Sequence, residues 1–136
     1  MTILNVIAVL DRTGEKCLFC KRRKDPYKGL YNFVGGHAED GEDGLSAAYR
    51  ELYEETGITD KDIRLIHLMD FTYCLYNEVV EVYFGYLDRD IAVHGDENEL
   101  LWLDREQDFF STERFAGEGN IGHIMEHIRL YERNNG

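Results

Sequence analysis

Long apolar runs, prolines and cysteines are scarce in this sequence. No stretch reaches 18 consecutive apolar residues, so the sequence predicts no transmembrane helix. The opening segment MTILNVIAVLDR lacks the basic region and the small-residue cleavage site of a secretory signal peptide. We therefore expect a cytoplasmic protein without a membrane partner.

The three cysteines fit that expectation. Cys17 and Cys20 form a single CxxC pair in a strand-like segment, and Cys74 stands alone. Residues three apart in a regular strand point to opposite faces of the sheet, so this pair is poorly placed to share a metal ion. The pattern favours buried, reduced thiols over a metal site.

Positive charge is scarce as well. The chain has 15 Lys and Arg residues against 27 Asp and Glu residues, a formal net charge of −12. This balance argues against nonspecific binding to a nucleic-acid polymer or to an anionic membrane. A small anionic ligand would also be repelled, unless a divalent cation held by carboxylates reversed the local charge.

The length and patterning predict one domain over residues 1–136, of the α/β class. The hydrophobic content of 43% is enough for a core. Two helices are expected, from about Asp43 to Gly57 and over 121–133. Strand-like segments surround them: ILNVIAVL, residues 16–22, FVGG, IRLIHLMDFTYC, VVEVYFGYL and LLWL. The order predicts an α/β/α sandwich, with a mixed β-sheet between the helices.

The first predicted helix has an unusual charge pattern. Leu45, Ala48 and Leu52 form its apolar stripe, whereas Glu51, Glu54 and Glu55 share another edge at i, i+3 and i+4. Like charges repel at this spacing, and the C-terminal end of a helix disfavours anions. A bound cation would offset both effects, and oxygen ligands with room for water suit Mg²⁺ or Mn²⁺.

The surrounding segment GHAEDGEDGLSAAYRELYEETGI resembles the Nudix box of the MutT-like phosphohydrolases at every specified position. The order of strands and helices is similar to the Nudix fold over most of the chain. The resemblance implies metal-dependent hydrolysis of a diphosphate linkage in a nucleoside diphosphate derivative. It also implies a small-molecule nucleotide as the partner, and a monomer or homodimer.

The resemblance assigns roles to individual residues. Glu51, Glu54 and Glu55 match the metal ligands, with Gly36 as the glycine of the tight loop at the metal site. Arg50 matches the arginine that orients the glutamates and is counted with Glu51 and Glu54 among the catalytic residues.

Some members of the family take the general base from a later loop. In GDENELLWLD, Glu99 matches that register, and Asp96 and Glu97 are the alternatives.

Two segments before the box are candidates for substrate binding. KRRKDPYK concentrates positive charge, and its Arg22 and Arg23 can each grip a phosphate through two hydrogen bonds. YNFVGGH is similar to a stretch of mammalian oxidised-purine triphosphatases, which places Tyr31 and Asn32 near the base. This similarity favours a nucleoside triphosphate such as 8-oxo-dGTP, cut to monophosphate and pyrophosphate. ADP-ribose or a nucleotide sugar is the alternative substrate, and a non-catalytic nucleotide-sensing module is the alternative class.

Overall fold

The computed structural model describes residues 1–135. Over this described range there are two helices and seven strands, and a 3₁₀ turn (Cys74–Tyr76) connects β5 to β6. The elements are β1 (Thr2–Leu10), β2 (Lys16–Lys21), β3 (Tyr31–Asn32), β4 (Val34–His37), α1 (Gly44–Thr56), β5 (Ile66–Tyr73), β6 (Glu78–Tyr86), β7 (Glu99–Asp104) and α2 (Asn120–Asn135). Within these described residues, no helix has the length and hydropathy needed to cross a membrane.

The seven strands form one mixed sheet in the order β3-β2-β1-β6-β5, with β4 also paired to β1 and β7 to β2. The β1–β6 pair is parallel and the other pairs are antiparallel. Alternate residues of β1 enter two different cores: Ile7 packs on the side of α1, and Ala8 packs on the side of α2. The predicted α/β/α sandwich is therefore confirmed.

The ends of α1 follow its sequence signals. The Asp43 carboxylate accepts a hydrogen bond from the Ser46 backbone N–H at 3.2 Å, which caps the start. Gly57 closes the helix in the left-handed conformation with φ 82°, and its N–H donates to the Tyr53 carbonyl. The predicted apolar stripe is wrong for Leu45, which stays 43% exposed. The neighbouring residue Gly44 is the one that faces the sheet here, because the side chains of Glu81 and Tyr83 pack against it.

Cys17 and Cys20 lie on opposite faces of the sheet, as their spacing predicts. Both are buried free thiols, and burial raises the pKa of Cys17 to about 12 and that of Cys20 to about 11. They are therefore protonated core residues. Cys74 is also free but exposed, so the prediction of burial is wrong for this residue, which begins the turn between β5 and β6.

Candidate active site

The end of α1 packs directly against the glycine pair of β4. The Glu55 carboxylate accepts a hydrogen bond from the Gly35 backbone N–H at 3.0 Å. The Glu51 carboxylate lies against Gly36, where an added Cβ would be 2.3 Å from Glu51 Cδ. A side chain at Gly36 would therefore displace Glu51. The loop glycine thus allows the close approach between β4 and the acidic edge of α1.

Asn5 supports the same loop from β1, a contact that is not predicted from the sequence. Its Oδ1 accepts a hydrogen bond from the Gly36 backbone N–H at 2.9 Å, and its side chain is only 3% exposed. The signal in the sequence was a single amide within the apolar segment ILNVIAVL. A polar residue in such a strand needs a partner, and here that partner is the loop before the helix.

A cavity of about 190 Å³ opens beside the acidic edge of α1. Its polar lining residues are Glu51, Glu54, Glu55, Asp96, Glu97 and Asn98, with Cys20 and Leu100 as the remaining wall. Five carboxylates around so small a volume repel one another, and a divalent cation would offset that repulsion. The donor set, which is rich in carboxylate oxygen, fits Mg²⁺ or Mn²⁺.

Arg50 connects the loop before α1 to two of these glutamates. Its guanidinium binds both oxygens of Glu42, with Nε–Oε2 at 2.8 Å and Nη2–Oε1 at 3.0 Å. Nη1 donates to Glu51 Oε1 at 2.9 Å and to Glu54 Oε2 at 3.3 Å, while Nη2 also donates to the His37 carbonyl at 2.9 Å. The bidentate pair lowers the pKa of Glu42 to about 2. Arg50 thus contacts Glu42, Glu51 and Glu54 together, and the orienting role that the resemblance assigns to it stays a prediction.

Glu55 is the most perturbed carboxylate of the cavity. The pKa of Glu55 is raised to about 7, chiefly by burial, and the negative charges of Glu51, Glu97 and Glu54 contribute to this rise. The hydrogen bond from Gly35 opposes the shift without cancelling it. The environment of Glu55 is therefore short of positive charge, which a bound cation would supply.

Among the three candidates for the general base, the structure brings Asp96 and Glu97 to the cavity. Glu99 is instead the first residue of β7, opposite Lys21 in the sheet. Leu100 and Leu103 pack on the α1 and α2 sides respectively, so alternation directs Glu99 to the α2 side. The position of Glu99 three residues before Trp102 could not reveal which face it is on, because that spacing does not show where the strand begins.

The basic segment lies at the rim of the cavity. The Arg23 backbone N–H donates to Asn98 Oδ1 at 3.3 Å, which joins the segment to the cavity lining, and the Arg23 side chain is exposed. Arg22 is half-buried and donates from Nε to the Pro26 carbonyl at 2.7 Å. Arg22 therefore shapes its own loop, whereas Arg23 is freer to reach a phosphate.

Tyr31 and Asn32 point to opposite faces of β3. Asn32 pairs with Cys20 in the sheet and so lies on the cavity side, where its Oδ1 accepts the Phe33 backbone N–H at 2.8 Å. Tyr31 packs against Phe115 on the other side, with ring centroids 6.0 Å apart, and the Arg114 guanidinium lies 5.9 Å from its ring. Of the two, only Asn32 is on the face of the sheet that carries the cavity, although it does not line the cavity itself.

A larger depression of about 650 Å³ lies between α2 and the segment after β7. Its central charges are paired: Arg105 donates to the two oxygens of Glu132 at 2.8 and 3.0 Å. Arg129, at its edge, pairs with Glu126 at 3.4 Å. The smaller cavity therefore has the better arrangement of ionisable groups for catalysis.

Two curated proteins illustrate what this chain is similar to in sequence. The chain is 27% identical to an RNA pyrophosphohydrolase of Actinobacillus pleuropneumoniae serotype 5b over 117 residues, which is 86% of this chain and 50% of that protein. It is 44% identical to an ADP-ribose pyrophosphatase of Methanocaldococcus jannaschii over 47 residues, 35% of this chain and 28% of that protein. The chain thus spans half or less of these two curated relatives.

Similarity of fold extends over nearly the whole chain. A crystal structure of a C. elegans Ap4A hydrolase binary complex superposes with a TM-score of 0.78 at 17% identity, covering 98% of this chain and 99% of that one. The family model described as NUDIX domain matches residues 1–123. Since that match includes the sheet, α1 and the carboxylate cavity, the chain belongs to the NUDIX domain family.

Proposed function

We propose that this protein is a metal-dependent pyrophosphohydrolase that cuts a diphosphate linkage in a nucleoside diphosphate derivative. A nucleoside triphosphate, cut to monophosphate and pyrophosphate, is the leading substrate class. The observation that carries the proposal is the cavity itself, in which five carboxylates meet beside a cationic loop. This arrangement suits a substrate that has dense negative charge and needs a cation between itself and the protein.

Glu51, Glu54 and Glu55 would hold Mg²⁺ or Mn²⁺, and Gly36 leaves room for Glu51 to do so. When bound, such an ion neutralises phosphate charge and makes water a better nucleophile at neutral pH. Arg50 keeps Glu51 and Glu54 in position through its hydrogen bonds. These residues therefore organise the site before the substrate arrives.

We assign the role of general base, which takes the proton of the attacking water, to Asp96 or Glu97. Both line the cavity with the α1 glutamates, and a carboxylate within hydrogen-bond reach of a water can act as its general base. Glu99 faces the α2 side, which argues against it as the base. Glu97 is preferred because its negative charge contributes to the raised pKa of Glu55, a carboxylate of the same cavity.

The substrate is proposed to be a small nucleotide. Arg23 stands at the cavity rim and would bind the outer phosphates. Asn32 lies on the cavity side of β3 and would contact the base, with 8-oxo-dGTP as a candidate. The net charge of −12 disfavours a long nucleic-acid chain, which would have to pass an acidic surface.

ADP-ribose is the second candidate substrate. The 44% identity to an ADP-ribose pyrophosphatase is the specific observation in its favour. The catalytic cavity would be the same for both substrates, because each contains a diphosphate linkage. A nucleotide-sensing module without turnover would also use this cavity, and it differs from both enzymes in releasing no product.

The deciding experiment is a product assay over a panel of nucleotides with Mg²⁺ or Mn²⁺ present. The panel contains dGTP, 8-oxo-dGTP, ATP, ADP-ribose, a nucleotide sugar and a dinucleoside polyphosphate. Release of pyrophosphate and monophosphate from a triphosphate is the expected result, and a large preference for ADP-ribose would favour the second candidate. Tight binding of a nucleotide without any hydrolysis would refute the enzyme proposal.

A further inference from the structure

A second group of metal-binding side chains lies on the α1 side of the sheet, where β5 pairs with β6. His67, Asp70 and Glu81 each offer one ligand atom, and these atoms lie within 4.8 Å of one another. His67 Nε2 is 2.6 Å from Asp70 Oδ1. The presence of an imidazole distinguishes this triad, His67–Asp70–Glu81, from the cavity at the end of α1, whose titratable donors are carboxylates and one buried thiol.

A β-bulge in β5 assembles the triad. Residues three apart in a regular strand face opposite sides, which would separate His67 from Asp70. Here β5 has one extra residue between His67 and Met69, so His67 pairs with Tyr83 and Asp70 pairs with Glu81. Bulges often re-aim a side chain beside a functional site. The distortion brings both side chains to the face that carries Glu81.

The neighbours of the triad hold two of its members in place. Tyr83 donates from its hydroxyl to Glu81 Oε1 at 3.0 Å, and the His67 ring stacks on the Tyr83 ring at 4.6 Å between centroids. Gly44 supplies the space for the Glu81 carboxylate, because a Cβ there would lie 2.0 Å from Oε1. Hydrogen bonds and packing of this kind orient ligands around protein-bound metals.

Asn5 gives an independent indication of a small polar ligand. It is the neighbour of Glu81 in the parallel β1–β6 pair, and alternation along β1 places it on the α1 side with Ile7. Its Oδ1 is used by Gly36, whereas its buried Nδ2 has no hydrogen-bond partner within residues 1–135. A water molecule between Asn5 and Glu81 would accept that hydrogen bond.

We propose that His67, Asp70 and Glu81 bind a divalent transition-metal ion of the Zn²⁺, Co²⁺ or Ni²⁺ class. An imidazole with two carboxylates suits these ions, whereas Mg²⁺ prefers oxygen donors alone. Bonds of about 2.0–2.2 Å require ligand atoms no more than about 4.4 Å apart. The side chains of His67 and Asp70 are each 44% exposed, so they have room to close this small difference and to exchange their mutual hydrogen bond for bonds to the ion.

This site is separate from the catalytic cavity but connected to it through the sheet. Gly44, beside Glu81, precedes Glu51 by seven residues of α1, which is about 10 Å along the helix axis. In the sheet, Asp70, Glu81, Asn5 and Gly36 occupy one row across four strands. An ion at the triad would therefore tie the bulged strand to β6 and stabilise the row of residues that ends at Gly36.

Calorimetric titration of Zn²⁺ into the full chain, with millimolar Mg²⁺ present to occupy the carboxylate cavity, tests the proposal. One equivalent of Zn²⁺ should bind and raise the melting temperature. His67→Phe keeps a ring to stack on Tyr83 but removes the ligand nitrogen, so it should weaken Zn²⁺ binding by about tenfold or more. Glu81→Gln should weaken binding as well, through loss of the charged ligand.

The matched control is His123→Phe on α2, whose ring lies 4.5 Å from that of His127. This variant should bind Zn²⁺ like the wild type. The proposal fails if no Zn²⁺ binds in the presence of Mg²⁺, or if His67→Phe binds with wild-type affinity. It also fails if Glu54→Gln, rather than His67→Phe, removes the binding, because the ion would then lie in the catalytic cavity.

Discussion

Glu55, in the last turn of α1, accepts a hydrogen bond from the Gly35 backbone N–H of β4 at 3.0 Å. This bond joins the acidic helix to the glycine pair of β4, with 20 residues of sequence separating Gly35 from Glu55. The same carboxylate is half-buried among other negative charges, and its pKa is raised to about 7. The contact therefore places a carboxylate where, without a cation, ionisation opposes folding.

Glu55 should make the metal-free protein less stable as the pH rises. Its pKa goes from an ordinary value of 4.5 in the unfolded chain to about 7 in the fold, so between these values the folded state holds more protons than the unfolded state. The free energy of unfolding should fall across this window and level off above it. Glu55→Gln should remove that loss and add on the order of 1–3 kcal/mol at pH 8.

The measurement is urea unfolding in EDTA at pH 4.5, 6 and 8 for the wild type and Glu55→Gln. The difference in the free energy of unfolding between the two proteins should grow with pH. With saturating Mg²⁺ it should shrink or reverse, since only the wild type retains the charged ligand. A difference that is the same at all three pH values would show that Glu55 is not the titrating group.

Glu54→Gln should remove most hydrolysis while leaving the fold intact. The side chain is 55% exposed, so its loss costs little packing, but it takes one charged ligand from the cavity. We expect a fall in kcat of about 10³-fold or more, with a smaller rise of melting temperature on adding Mg²⁺. Glu126→Gln, on α2, is the control and should behave like the wild type. Full turnover by Glu54→Gln in saturating Mg²⁺ would remove Glu54 from the ligand set.

Arg50→Lys should weaken metal binding although the charge is retained. Arg50 contacts both oxygens of Glu42 together with Glu51 and Glu54, and one ammonium group cannot reproduce that fork. Residues that position metal ligands typically contribute about 10- to 100-fold in affinity, so we expect a loss of that size. Magnesium titration followed by activity measures it. Arg129→Lys, in an exposed pair on α2, should have no effect.

Gly36→Ala should displace Glu51 and lower activity. The new Cβ would lie 2.3 Å from Glu51 Cδ, which is far inside contact distance. We expect kcat/KM to fall by about tenfold or more, because catalytic groups misplaced by about 1 Å lose much of their effect. Gly41→Ala is the contrasting variant: it strains a left-handed residue at φ 80° but meets no atom within 4 Å. It should lower stability slightly and leave kcat/KM unchanged.

Asn32→Ala should reduce discrimination between bases. The rate of diphosphate hydrolysis should change less. Asn32 lies on the cavity side of β3, whereas the metal-binding glutamates are on α1. Loss of a hydrogen bond to a buried base edge costs about 1–3 kcal/mol. The ratio of kcat/KM for 8-oxo-dGTP over dGTP should therefore fall roughly tenfold, with unchanged metal dependence. If the wild type shows no such preference, the oxidised-purine substrate is excluded and the hydrolase proposal stands.

The sequence by itself determined the local parts of this protein. The i, i+3, i+4 spacing of Glu51, Glu54 and Glu55 fixes their common edge on α1, because helix geometry depends only on neighbours in the chain. Asp43 and Gly57 end that helix for equally local reasons. The order of strands and helices, together with the resemblance to the Nudix family, was enough to predict the sandwich correctly.

Only the tertiary structure decided which strand residues reach the cavity. Glu99 and Tyr31 matched patterns in the sequence, yet the register of β7 and β3 turns both toward the α2 side. Asn5 was overlooked because its partner, Gly36, lies 31 residues away. A shift of one residue in a strand exchanges the two faces of a sheet, and that register is set by long-range pairing and core packing.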